Sequence, residues 1–315
     1  MSKNTKIIGI IIAVVVILLA AFFAYNALNQ DTETVHIGYL PSDHDAALFV
    51  ANASGMYNDA GITVKLHEYN NGGDLMSAMA SGELDVGYVG IAPAVSSITK
   101  GVPVKIVAGA QNEGSGLVSH DSSITSIADL KGKTVATPGE ASIQNVLLKY
   151  DLKKNGLSNS DVSSPGMKVA SMNDALKTGS IDAMLTFEPY VSISEKTNNQ
   201  HVVERSGDII PNHPCCVVVM SDKFLADHSS QAQKIVDIHK DATQKIIDNP
   251  DDIIQYLPSE IVSDVTVEKD SLSNIKWVTE LNDEYKSNVD SFLNIEKDLG
   301  IINQTLTEDQ LYAKI

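Results

Sequence analysis

One short pattern occurs twice in this chain, and it constrains the fold more than any other feature. Ala78-Met79-Ala80-Ser81-Gly82-Glu83-Leu84-Asp85-Val86 returns as Ala175-Leu176-Lys177-Thr178-Gly179-Ser180-Ile181-Asp182-Ala183. Both fit A-[ML]-x-[ST]-G-x-[LI]-D-[VA], which reads as a helix stopped by glycine and turned into a buried strand. Glycine is favoured just past a helix end because it reaches the left-handed conformation without a Cβ clash. Each copy then leads to a proline, Pro93 or Pro189, placed where a new helix can begin. Two copies predict two similarly built α/β lobes, and two lobes imply a cleft.

The chain's 315 residues suffice for about two domains. Lys3 and Lys6 precede Ile7–Leu28, a run without a charged residue. As a helix it would be roughly 33 Å long, enough to span a hydrocarbon core. The preceding lysines and the following Asp31 and Glu33 predict the N-terminus inside and the remainder outside. The run exceeds the apolar core of a cleavable signal, and Phe22 and Tyr25 spoil its small-x-small sites. An uncleaved anchor is therefore expected, and cleavage would export the remainder equally. The remainder carries all 40 acidic residues and all but two of the 23 basic ones, which disfavours nucleic-acid binding. The only cysteines, Cys215 and Cys216, are adjacent, too close for an ordinary disulfide.

Strands are expected at 35–39, 62–67, 86–89 and 104–110, with intervening helices, the arrangement of parallel βαβ units. Asp74 is the expected N-cap of the helix carrying the first repeat. Residues 111–116 form the best crossing point to a second lobe, and the return falls near 211–217. In that lobe, strands are expected at 134–136 and 167–170, and an amphipathic helix reaches Lys154. From Ser221 onward the pattern is helical throughout, with Ile235, Ile238, Ala242 and Ile246 at core spacing, and Trp277 is placed on one of these helices.

Four segments in order carry a family resemblance: H-I-G-Y-L-P-S-D-H-D-A-A-L-F-V-A (36–51), A-S-G-E-L-D-V-G-Y-V-G-I-A-P (80–93), S-I-A-D-L-K-G-K-T-V-A-T-P-G (126–139) and G-S-I-D-A-M-L-T-F-E-P-Y (179–190). Together they resemble the nitrate/sulfonate/taurine branch of ABC-transporter substrate-binding proteins, which includes thiamine-pyrimidine binders. The resemblance spans roughly residues 35–250. It implies an α/β, two-lobed periplasmic-binding-protein type II fold with a helical C-terminal extension, preceded by one N-terminal transmembrane helix. The expected organisation is a cytoplasmic stub at 1–6, the anchor at 7–28, lobe one at 35–112 plus 217–315, and lobe two at 113–216. It also implies a monomer anchored in the cell membrane, with its binding domain extracytoplasmic, serving an ABC permease and ATPase complex. An alkanesulfonate or taurine is favoured as ligand, ahead of nitrate or bicarbonate and a thiamine-pyrimidine precursor. An exported sensory module on the same fold is the alternative class.

Ligands of open α/β lobes sit at the carboxyl ends of strands, where helix N-termini hold anions without cationic side chains. Candidate loops are 42–45, with Ser42, Asp43 and His44 foremost; Gly90, Ile91 and Ala92; 137–142, with Thr137, Gly139, Ala141 and Ser142; and Phe187 with Glu188. Ser142 and its neighbours could equally be an ordinary helix cap, and Glu188 either faces the cleft or turns aside. Gln111 and Glu113 at one crossing, and His213 and Cys215 at the other, complete the set. Cys215, His213 and His44 lack the spaced pairs of ordinary metal sites, so no metal and no cofactor is expected. The chain has no Walker A loop, no G-x-S-x-G elbow and no HExxH. A related pyrimidine-forming enzyme carries a longer cysteine cluster in the similar place, so no enzyme is expected here.

Overall fold

The computed structural model describes residues 34–262 and 264–315. The expected stub and anchor lie outside the described residues, among which no helix is long and apolar enough to cross a membrane. Two sheets organise the chain. The larger contains β1 (Val35–Tyr39), β2 (Val64–Glu68), β3 (Val86–Gly90), β4 (Val104–Glu113), β9 (Pro214–Ser221) and β10 (Ile275–Trp277), in the order β10-β4-β9-β3-β1-β2. The smaller contains β5 (Ser115–Ser119), β6 (Val135–Ala136), β7 (Ala183–Phe187) and β8 (His201–Arg205), in the order β6-β7-β5-β8.

Neither sheet is purely parallel, contrary to the alternation of elements. β1 runs parallel to β2 and β3, but β9 lies antiparallel between β3 and β4. The reason is the crossing. The chain leaves the larger sheet along β4, turns at Gly114 (φ +77°) into β5, and returns from the other side as β9. A returning strand enters head-first from the opposite end and must run in reverse. β9 is buried along Pro214–Met220, which makes it the spine of the larger half.

The repeated pattern does the same work in both halves. The helices Gly72–Ser81 and Val169–Lys177 are followed by Gly82 (φ +78°) and Gly179 (φ +73°). Glu83 N–H then bonds the Ala78 carbonyl, and Ser180 N–H bonds that of Ala175. The aspartates are equivalent too. Asp85 accepts the His36 N–H at 2.9 Å, and Asp182 accepts the Thr134 N–H at 2.8 Å. Each carboxylate thus stitches its own strand to the neighbouring parallel one, which is why the pattern needs aspartate there.

Three local expectations are corrected. Asn71, not Asp74, caps the first repeat helix, its side chain accepting from Asp74 N–H. No strand forms over 167–170. Val169 begins a helix instead, burying Val169, Met172 and Leu176 at helical spacing. Trp277 lies on β10, which pairs antiparallel with Gln111–Glu113 of β4, so the tail is not helical throughout. That short strand covers what would be an open edge of β4. The long helix Ser229–Asp248 does bury Ile235, Ile238, Ala242 and Ile246.

Candidate functional site

Strand ends from both sheets converge on one cavity. β1 runs into a short 3-10 turn, Asp43–Asp45, capped by Ser42, whose hydroxyl accepts the His44 N–H. β3 ends at Gly90, the N-cap of the helix Ile91–Thr99. From the smaller half, Ser142 caps the helix Ile143–Lys154 and β7 ends at Phe187. Of the residues singled out in the sequence, Ser42, His44, Gly90, Ser142 and Cys215 line the cavity. Its walls are otherwise largely apolar, formed by Leu40, Val89, Pro93, Pro138, Ile143 and Phe187. Gly90 allows the halves to meet, because a Cβ there would lie 3.0 Å from Ile143 Cδ1. The space open to the centres of water-sized molecules is about 50 Å³, room for roughly four waters. Such a cavity suits a small solute.

No lysine or arginine lines this cavity. The N-termini of the Ile91–Thr99 and Ile143–Lys154 helices, one from each half, begin at its wall, and a helix N-terminus carries the positive end of the helix dipole. Asp45 also lines the cavity, and burial pushes its carboxyl up to about 7 although it accepts the Leu40 N–H. A partly neutral Asp45 repels an entering anion less than a full carboxylate would.

His44 sits beside the two cysteines. Its Nε2–H donates to the Gly114 carbonyl at 2.9 Å, which turns Nδ1 toward Cys215 Sγ at 3.5 Å and Cys216 Sγ at 3.7 Å. Burial pulls the histidine down, but the Cys216 contact and the Gly114 carbonyl outweigh it, and its pKa lies above the ordinary value. The Cys215 contact, with burial, holds the Cys216 thiol well above the usual range. Adjacent residues of a regular strand point to opposite faces. Here the β4–β9 register shifts between Gln111↔Cys216 and Asn112↔Pro214, and this bulge brings both thiols to one side.

Glu188 turns away from the cavity. It is fully buried, accepts the Ser192 N–H and Oγ–H at 2.9 and 3.0 Å, and pairs with Arg205 at 2.8 Å. Asn274, from the segment leading into β10, reaches across to the same carboxylate at 2.9 Å. Of the two roles left open for Glu188, helix cap and anchor is the one observed.

Other expected contacts also fall outside the cavity wall. Asp43 bonds Ser271 and faces Glu268, and burial followed by the Glu268 charge raises its carboxyl well above the usual range. Ile91 and Ala92 point into the core. Gly139 packs against Gly166, and Ala141 is exposed. Glu113 ties the two crossings together, accepting from Asn212 N–H and from Lys276, each at 2.7 Å. His213 stacks near Phe292, and burial lowers its pKa to about 4. Gln111 and Thr137 do not line the cavity but are fully buried, and neither side chain has a hydrogen-bond partner. Tyr88 and Gln144 also line the cavity, and no local sequence signal singles them out; Pro138, Phe187 and Cys216 line it from within the expected loops and crossing.

A family model described as the NMT1-like family matches residues 29–255. The putative aliphatic sulfonates-binding protein of Bacillus subtilis is 26% identical over 283 residues, covering 85% of this chain and 84% of that protein. The taurine-binding periplasmic protein of Escherichia coli is 25% identical over 240 residues, covering 74% and 72%. A solved ligand-binding component of an ABC-type import system from Staphylococcus aureus, with zinc bound, superposes with a TM-score of 0.80 at 23% identity, covering 90% of this chain and 97% of that one. The architecture is the α/β periplasmic-binding-protein fold.

Proposed function

The chain belongs to the NMT1-like family, and from that premise we propose that it is the extracytoplasmic solute-binding component of an ABC importer. Lobe one is residues 35–112 plus 217–315, and lobe two is 113–216. The lobes close on a small anion, with an alkanesulfonate or taurine favoured, and deliver it to a permease and its ATPase. The segment 7–28 tethers the protein to the membrane.

The observation that carries this reading is the cavity itself. Two helix N-termini, one per half, meet over apolar walls with no cationic side chain. A sulfonate head with a short alkyl or aminoalkyl tail matches that combination, because the head takes backbone N–H groups and the tail takes the apolar wall. Nitrate would use the first feature and leave the second idle. The names of the Bacillus subtilis and Escherichia coli relatives point to the same solute class.

Calorimetric titration of the full-length chain with ethanesulfonate, taurine, nitrate and a thiamine-pyrimidine precursor tests this. One-site binding is expected for ethanesulfonate or taurine. Binding of nitrate or the pyrimidine alone would reassign the solute, and no heat from any of them would overturn the reading.

A further inference from the structure

His44 Nδ1, Cys215 Sγ and Cys216 Sγ lie within 4.8 Å of one another, all three residues buried. The individual separations are 3.5 Å and 3.7 Å from nitrogen to the two sulfurs and 4.0 Å between the sulfurs. Zinc takes sulfur at ~2.3 Å and nitrogen at ~2.0–2.1 Å in a tetrahedron, which places the donors ~3.8 Å apart for two sulfurs and ~3.5 Å for sulfur and nitrogen. The cluster already has nearly that spacing. The outer contact of the histidine fits as well, because Nε2–H on the Gly114 carbonyl leaves the Nδ1 lone pair for a cation.

We propose that His44, Cys215 and Cys216 form a soft-metal site, with zinc(II) its best-fitting occupant and a fourth coordination position open to the cavity. Two thiolates and a neutral imidazole around a divalent ion sum to zero charge. That matters where no lysine or arginine lines the wall, since a buried net charge is costly. Copper(I) on the same donors would leave one negative charge uncompensated, and hard cations such as magnesium or calcium prefer oxygen. Binding releases the two thiol protons to solvent. Among the described residues no fourth His, Cys, Asp or Glu joins the cluster, and all three members line the cavity. The remaining position therefore faces the solute. An anion that completes the coordination brings one negative charge, which the two helix N-termini at the cavity face; that step rests on the solute-binding reading, and the metal site itself does not.

The test uses the full-length chain, reduced and metal-stripped in detergent, with cobalt(II) as a spectroscopic probe. One equivalent should bind and produce a sulfur-to-cobalt charge-transfer band. Cys215→Ser and Cys216→Ser should each weaken cobalt binding more than ~10-fold, a loss that even an outer-shell change can bring. X-ray absorption on zinc-loaded wild type, which needs no variant to fold, should find two sulfurs in the first shell. The neighbouring histidines His36 and His67, 2.9 Å apart, could hold cobalt elsewhere but supply no sulfur band. Cobalt bound without that band, a band surviving both serine variants, or a zinc shell of nitrogen and oxygen alone would overturn the site. Azide should shift the ligand-field bands; a band that azide leaves unmoved would overturn the open position. A sulfur band together with no solute binding would sink the solute reading and leave the metal site standing.

Discussion

Asn274→Ala should weaken solute binding without touching the cavity. The Glu188 carboxylate has three further contacts, from Ser192 N–H, Ser192 Oγ–H and Arg205, all within the smaller half. Asn274 Nδ2 is its contact from the other half, so that bond exists only while the halves are together. A hydrogen bond to a buried charged acceptor is worth ~1.5–3 kcal/mol. At ~1.4 kcal/mol per factor of ten, its loss lowers the closed-to-open ratio by roughly 10- to 150-fold. Where the free protein is mostly open, the apparent solute affinity falls by the same factor. The control is Lys196→Ala, which removes the exposed 3.2 Å pair with Asp270, a surface pair worth under ~1 kcal/mol. Calorimetry with whichever of ethanesulfonate, taurine or nitrate binds the wild type compares the two variants, and thermal melting checks that both are folded. Equal affinities for Asn274→Ala and wild type would refute the latch.

Two further perturbations test other parts of the account. Glu296 is fully buried with neither carboxylate oxygen partnered, and burial raises its pKa from 4.5 to about 8. A raised carboxyl binds its proton more tightly in the folded state, so stability is fully present below the unfolded pKa and is lost as pH rises from ~4.5 through ~8. Glu296→Gln should flatten that slope and gain at most ~4–5 kcal/mol above pH 8, read from urea midpoints at pH 5 and pH 9; equal slopes in the two proteins would contradict the assignment. Gly114→Ala places a Cβ 2.5 Å from His44 Nε2 at a backbone φ of +77°. It should cost ~1–2 kcal/mol from the left-handed conformation alone and lose solute affinity as well, and unchanged calorimetry would argue that His44 is not held by that carbonyl.

The parts of the fold legible in the sequence were those written in local signals. Gly82, Gly179, Asp85 and Asp182 act on neighbours a few residues away or on the adjacent strand, so the two matched supports could be read directly. Gly114 marked the crossing for the same reason. β10 was hidden because Ile275–Trp277 is a strand only by virtue of the β4 edge it covers. Asn71 displaced Asp74 as cap because the helix starts earlier, at Gly72. The cavity was read by its loops but not by its side chains. Glu188 could have faced either way, and contacts from Ser192, Arg205 and, 86 positions along, Asn274 hold it away from the cavity. The meeting of Cys215, Cys216 and His44 depends on a strand irregularity set by β4 pairing, which no spacing within Cys215-Cys216 encodes.

Two halves that close on a solute must change their separation. Ser81 and Thr178 occupy equivalent positions in the two repeat copies, and both are exposed. Spin-labelled unnatural residues at these two sites, which leave the native cysteines alone, report the distance between the halves by pulsed electron paramagnetic resonance. A broad distribution is expected in the free protein, collapsing to one narrow distance on adding ethanesulfonate or taurine. A distribution left unchanged by a solute that binds in calorimetry would contradict closure of the two halves.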